Sequence, residues 1–412
     1  MTTKALLEHG IRANKMQFIL QLMQVFLVGL TIGSMRIVIP GLAETEFGLA
    51  KQQFFLLASF VVVFGLVKAV MNLLAGKLSD LYGRKNVLVV GWLVAVPIPF
   101  MLLYAPDWNW VIAATFLLGL NQGLAWSMAL NSKLDLAGST QKGLVNGLNE
   151  FSGYAAVGIA GVVTAYFVNL YGAREGLFIF GSAVILTGLM MAVFLIKDTM
   201  SWMERHQQAA EPVEPQTLRQ LFKSASWQDG NLQALNQAGL VEKFTDALIW
   251  IFLPVYFLSQ GLSLVEGSAV IMIYAVVWGA LQLVTGPLSD RIGRKGLVVW
   301  GMWLCGLGVL AIPLTQGSFL WSMEAALIGV GMAMLYPNLG ASISDFSPVR
   351  HRASLIGIYR FWRDLGYAIG ALLMGSIVQV FDSMDMAFWL VGILMLLSGL
   401  WVQRVLPKKT AS

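Results

Sequence analysis

Gly76-Lys77-Leu78-Ser79-Asp80-Leu81-Tyr82-Gly83-Arg84-Lys85 returns as Gly286-Pro287-Leu288-Ser289-Asp290-Arg291-Ile292-Gly293-Arg294-Lys295, an offset of 210 residues. The same offset carries Gly119 to Gly329, Asp135 to Asp345, Gly147 to Gly357 and Phe151 to Phe361. Repetition at this distance means two copies of one architecture, which can be read from what flanks the loops. On either side of each loop stands an apolar run of about 20 residues, the length a helix needs to cross a hydrocarbon core of ~30 Å. The 412-residue chain is 57% hydrophobic and 12% charged, with mean hydropathy +0.72. A soluble domain carries roughly 25% charged residues. Soluble enzymes, nucleic-acid binders and secreted scaffolds are thereby excluded.

Outward from the loops, twelve apolar runs are legible, at about 16–42, 53–75, 86–104, 109–131, 143–168, 177–196, 231–258, 266–286, 297–315, 320–342, 353–380 and 386–404. The expectation is an all-α integral membrane protein of twelve transmembrane helices, in two pseudo-symmetric halves of six. The first run continues to Pro40 without a small-residue cleavage site and reads as a retained span rather than a signal peptide. A polar segment separates spans 6 and 7 and divides the chain into 1–196, a linker at 197–230, and 231–412. Within it, Glu211-Pro212-Val213-Glu214-Pro215 suits a solvated tether, and 217–227 suits a short amphipathic helix on the membrane surface.

Orientation follows from Lys and Arg alone. Of 27 basic residues, 20 fall on the side expected to hold both termini, whereas only Lys51 and Arg174 fall on the other. Both termini are therefore expected in the cytoplasm, with the chain in the inner membrane and the lipid bilayer as its surroundings. The net charge of +5 reflects this bias and implies no nucleic-acid partner. Cys305 is the only cysteine, and His9, His206 and His351 lie outside the spans, so neither a metal nor a cofactor is expected.

With its twelve spans and duplicated Gly-x-Leu-x-Asp-x-x-Gly-Arg-Lys loop, the chain resembles the major facilitator superfamily over essentially its whole length. The resemblance implies that the loops latch the two halves together on the cytoplasmic face. Gly76, Asp80, Gly83, Arg84 and Lys85, with Gly286, Asp290, Gly293, Arg294 and Lys295, inherit that role. Two features depart from the superfamily's antiporters. Where they carry Arg-x-x-Gln-Gly in span 4, this chain has Gly119-Leu120-Asn121-Gln122-Gly123, and Gly158-Ile159-Ala160-Gly161 lacks their span 5 Gly-Pro pair.

Nine ionisable side chains lie deep within the spans: Arg36, Lys68, Glu150, Glu242, Lys243, Asp246, Arg360, Arg363 and Asp364. At roughly 2.5–3.5 kcal/mol each, nine unpaired charges would cost about 25 kcal/mol. That exceeds the net stability of a typical domain, about 5–15 kcal/mol. They must pair, face water or bind something. All nine sit on spans 1, 2, 5, 7 and 11, away from spans 3, 6, 9 and 12, which the resemblance places against lipid. The offset maps Arg36 to Asp246 and Glu150 to Arg360, so equivalent positions hold opposite charges and can complement one another across the seam. Arg36 lies toward the outer third, and Glu150 and Lys68 are ~12 Å from the cytoplasmic end at 1.5 Å per residue.

On span 11, Arg360, Arg363, Asp364 and Tyr367 share a face, and Arg360 with Asp364 has the spacing of a local pair, leaving Arg363 for an anionic ligand. Glu150, Glu242 and Asp246 are the candidate proton carriers. Asn121, Gln122 and Trp126 on span 4, with Tyr336 and Asn338 on span 10, are candidate cavity walls. The stripe Gln17, Gln21 and Gln24 can line an inner vestibule.

These features point to a secondary-active transporter working by alternating access, coupled to protons and moving a small organic solute as a monomer. Within that class an organic-anion permease competes with a multidrug-type efflux pump. A membrane-embedded enzyme lacks a catalytic constellation here. A channel suits two latched halves poorly, and no phosphate-binding Gly-x-x-x-x-Gly-Lys-Ser/Thr loop supports an ATPase.

Overall fold

The computed structural model describes residues 8–47, 54–138, 141–208, 214–262 and 264–407. Lys51, Lys408 and Lys409, and Glu211-Pro212-Val213 of the expected linker, lie outside the described residues.

Span 1 is Lys15–Thr45, span 2 Phe54–Tyr82, span 3 Arg84–Leu103 and span 4 Trp108–Ala137. Spans 5 and 6 are Lys142–Tyr171 and Ala173–Phe194. The second half runs through span 7 at 230–259, span 8 (Leu264–Ile292), span 9 (Arg294–Leu314), span 10 (Ser318–Asp345), span 11 (Arg352–Phe381) and span 12 (Asp385–Val405). Eleven helices among the described residues are long and apolar enough to cross a membrane. Span 7 falls short because Glu242, Lys243 and Asp246 stand in its middle; it is otherwise a continuous helical rod. Spans 4 and 7 each contain a π turn, Gln122–Trp126 and Leu248–Phe252, a feature that often marks functional sites.

The expected loop chemistry is present. Gly83 and Gly293 end spans 2 and 8 at φ +85° and +88°, a conformation that side chains other than glycine's adopt at a cost. The chain then re-enters the membrane at Arg84 and Arg294. The described ends of the chain and both repeated loops lie at one end of the bundle, the terminal end, where Gly10 bonds Leu136 and Lys295 bonds Leu406.

At that end the halves touch backbone to backbone. A Cβ on Gly143 of span 5 would strike the Gly286 carbonyl of span 8, and one on Gly76 of span 2 would strike Ala353 and Ser354 of span 11. Above these contacts Phe18, Leu130, Leu134 and Val145 of the first half join Leu235, Leu339 and Ile356 of the second in one apolar cluster. This seals the terminal end.

Around the linker, Thr199 and Asp198 anchor its start to Asp135 and to the Lys85 N–H. Leu218–Lys223 is an α-helix shorter than the 217–227 expected, held by a Thr217–Gln220 capping box and continued by a π turn at Ser224–Gln228. Phe222 stacks on Trp362 of span 11. Further ionisable groups lie within the spans, among them Glu324 and Lys133. Glu324 near the start of span 10 accepts from Thr315 at 2.8 Å, and Lys133 near the end of span 4 is fully buried.

Candidate functional site

The repeated loops build matching ion clusters. Arg84 bonds Asp80 at 2.8 Å, Asp135 at 3.1 Å and Ser79 at 3.0 Å. Arg294 bonds Asp290 at 3.0 Å, Ser289 at 2.7 Å, and Asp345. Lys295 reaches the Leu406 carbonyl.

Their reach across the seam differs. Asp290 accepts from the Gly143 and Leu144 N–H groups, at 2.9 and 3.1 Å, capping the first turn of span 5 in the other half. Lys142 beside them pairs with Asp345 at 3.0 Å. Asp80, among the described residues, meets span 11 through the Ser354 hydroxyl alone, at 3.4 Å. Losing a cap costs about 0.5–2 kcal/mol. Asp290→Ala should therefore loosen the terminal end more than Asp80→Ala. A cysteine at the buried Val145 would report this through its reactivity with a membrane-impermeant thiol reagent. Equal reactivity in the two variants would mean that the cap does not hold the halves.

Midway along the bundle the expected charges converge. Arg360 of span 11 pairs with its repeat counterpart Glu150 at 3.2 Å, and both are buried. Symmetry-equivalent positions can touch only near the pseudo-two-fold axis, so this pair marks it. From it a polar chain crosses the seam again. Arg360 donates to Ser127 at 3.2 Å, Ser127 to Asn72 at 2.8 Å, and Asn72 to Asp364 at 2.6 Å. Lys68 and Arg363 lie 3.6 and 3.3 Å from Asp364.

The i,i+4 spacing of Arg360 and Asp364 is therefore not used as a local pair. Arg360 turns to the other half, where Glu150 offers a full charge, and Arg363, expected to be spare, takes Asp364. Span 7 adds Lys243, which bonds Asp246 at 2.8 Å and Tyr367 at 3.2 Å, while Tyr367 donates to Asp246. Glu242 lies 3.8 Å from Lys243, and neither of its oxygens has a hydrogen-bond partner among the described residues.

Arg36 and Asp246 form no ion pair here. Asp246 is occupied by Lys243 and Tyr367, one turn short of Trp250, whose ring face carries the Arg36 guanidinium. The contact joins spans 1 and 7 in the third away from the terminal end.

Aromatic rings fill the centre. Tyr154 lies 4.2 Å from Trp278 and 5.3 Å from Tyr336 between ring centroids, and the two tyrosine hydroxyls are 2.6 Å apart. Trp126 meets Tyr154 edge-on at 5.8 Å. Lys243 sits over the Tyr336 ring at 4.3 Å, Arg363 over the same ring at 5.1 Å, and Lys68 over Trp126 at 5.5 Å. Trp126 and Tyr336 are thus brought together.

Asn121 and Gln122 face neighbouring helices instead. Asn121 donates to the Gly91 carbonyl of span 3, and Gln122 to Val28 and Thr31 of span 1. Asn338 donates to Met334 on its own helix. Tyr154, Trp278, Asn72 and Ser127 were not singled out in the sequence, although the offset pairs Lys68 with Trp278 and Tyr154 with Asp364. Each aromatic residue thus stands at the position that, in the other repeat, holds a charge already recognised as unusual.

A family model described as Major Facilitator Superfamily matches residues 22–229 and 235–412. The chain is 26% identical over 350 residues to a probable 4-methylmuconolactone transporter of Cupriavidus pinatubonensis, covering 79% of this chain and 78% of that one. It is 25% identical over 385 residues to the 4-hydroxybenzoate transporter PcaK of Pseudomonas putida, covering 85% and 84%. Among solved structures, the proton:xylose symporter XylE bound to 6-bromo-6-deoxy-D-glucose superposes with a TM-score of 0.76 at 15% identity, over 96% of this chain and 98% of that chain. The human organic anion transporter MFSD10 superposes with a TM-score of 0.72 at 14% identity, over 94% and 99%. At these identities the structural likeness speaks for the fold.

Proposed function

The chain belongs to the major facilitator superfamily, and on that premise we propose that its solute is a small planar carboxylate, carried by alternating access together with a proton. As a member of the superfamily it is a multi-pass membrane protein and a secondary transporter of small molecules, not an enzyme.

The observation that carries the reading is the placement of two cations, Lys243 and Arg363, over the single ring of Tyr336, within a cluster of three further rings. Ring faces suit a planar apolar body, and a guanidinium beside an amino group suits a carboxylate. The relative named for 4-hydroxybenzoate, an aromatic carboxylate, supports the same class. A multidrug-type efflux pump is the weaker reading, since the antiporter marks of spans 4 and 5 are missing.

Of the three carboxylates expected to carry protons, Glu150 and Asp246 are each held by a cation. Glu242 accepts no hydrogen bond among the described residues and is the better proton site. Asp80, Arg84, Asp290 and Arg294 act as the latch, and the basic bias puts them on the cytoplasmic side of the inner membrane.

Proteoliposomes test this directly. Uptake of 4-hydroxybenzoate should be saturable and driven by a proton gradient, and the neutral 4-hydroxybenzamide should not compete. Arg363→Gln should raise KM by about ten-fold or more, the scale of one lost charge-assisted hydrogen bond. Glu242→Gln keeps the shape but cannot ionise, so exchange should persist while gradient-driven accumulation is lost. Equal competition by acid and amide would overturn the carboxylate reading, and unsaturable conductance would indicate a channel.

A further inference from the structure

The glutamine stripe of span 1 is not uniform. Gln17 donates to the Leu195 carbonyl at 3.0 Å and accepts from the Lys197 N–H at 2.9 Å. Gln24 accepts from Trp92 at 2.5 Å and donates to the Gly188 carbonyl at 3.2 Å. Both belong to the helix packing of the first half. Gln21 between them is fully buried, and neither atom of its amide has a partner among the described residues. Buried amides are normally satisfied, so this one calls for a reason.

Lys133 of span 4 lies against it, also fully buried. Among the described residues its amino group makes one hydrogen bond, to the Gln21 main-chain oxygen at 3.1 Å, although such a group offers up to three donors. The charges that act on it, Glu150 and Arg360, are already paired with each other. On span 5, Asn149 donates to Glu150 and leaves its own oxygen unpartnered. Ser152, one turn further on, donates to the Leu22 carbonyl at 2.9 Å and so holds this face of span 5 against the Gln21 turn.

Lys133 adjoins Leu134, and Gln21 is one turn from Phe18, both members of the apolar seal. The cluster therefore sits between the ring cluster and the closed terminal end, shut off while the halves meet. The repeat counterparts of Gln21, Lys133 and Asn149 are Asn231, Ile343 and Tyr359, so the second half provides no amino group at this level.

We propose that Lys133, Gln21 and Asn149 form a second binding station for the carboxylate of the transported acid, reached when the terminal end opens. The Lys133 amino group and the Gln21 N–H donors take the carboxylate oxygens, and the free amide oxygens of Gln21 and Asn149 take a hydroxyl or acid proton of the solute. The station rests on the carboxylate reading given under Proposed function.

The test is sided transport of 4-hydroxybenzoate by the full chain in proteoliposomes, with orientation fixed by access to a C-terminal tag. Lys133→Met should raise KM from the terminal side by about ten-fold and leave KM from the opposite side within about two-fold. Lys133→Arg should restore much of the difference. Gln21→Leu guards against a folding defect. It removes an unsatisfied buried amide, so apparent Tm should rise while terminal-side KM still worsens. Unchanged terminal-side KM in both Lys133→Met and Gln21→Leu, or equal worsening from both sides, would overturn the station and leave the functional reading intact. A wild-type protein that does not carry 4-hydroxybenzoate would overturn the functional reading, and the station with it.

Discussion

Arg360→Met alone should cost about 3–5 kcal/mol of stability and nearly all transport, because it leaves Glu150 buried without its cation. The remaining partners of Glu150, Asn149 at 2.8 Å and Trp126 at 3.4 Å, are neutral donors and do not replace a guanidinium. Glu150→Gln alone should cost less, since Arg360 keeps Ser127 and a neutral amide. Combining the two removes both charges, and part of the loss should return. Thermal unfolding in detergent gives the coupling energy, which for groups in direct contact is about 0.5–3 kcal/mol. Additive losses would mean that the pair across the axis contributes nothing as a pair.

Gly286→Val should act on the conformational balance rather than on binding. A Cβ there would overlap the Gly143 carbonyl at 2.6 Å, and a backbone atom, unlike the end of a flexible side chain, yields only if its helix moves. Overpacking of this kind costs about 1–3 kcal/mol, which shifts a two-state population by about 5- to 150-fold. The terminal end should then stay open. In a Cys305→Ala background, a cysteine at Val145 should become reactive to an impermeant thiol reagent, and exchange should fall with it. Gly158→Val is the control, because nothing lies within 4 Å of a Cβ at Gly158. Unchanged reactivity at Val145 in Gly286→Val would show that the glycine contact is not what closes this end.

The fold was legible because its two signals are crude and repeated. A span has to be long and apolar whatever it packs against, and a tight re-entrant loop has to contain glycines whatever it gates. The site was legible only as far as charge is. Arg360 and Glu150 were conspicuous because a charge in a membrane needs a reason, but their partners depend on tertiary contacts that helical spacing does not contain. For that reason Arg360 and Asp364 read as a local pair when each in fact reaches the other half. Tyr154 and Trp278 were invisible for the opposite cause: an aromatic residue is ordinary in a membrane helix, and nothing in its spacing separates a cage wall from packing. Lys133 was missed because the polar end of span 4 was drawn at 131, before the helix stops at Ala137.

The meeting of Glu150 with Arg360 at the axis also bears on how the molecule is assembled. The two halves are similar enough in architecture that one half could meet a second copy of itself in the same arrangement, as when two nascent chains lie side by side. Two first halves would then bring Glu150 against Glu150, and two second halves Arg360 against Arg360, at a place where both side chains are buried. Only the unlike pairing is neutral there. Produced as two separate polypeptides, the halves should sort into the heterodimer, with the charge at the axis excluding the two homodimers.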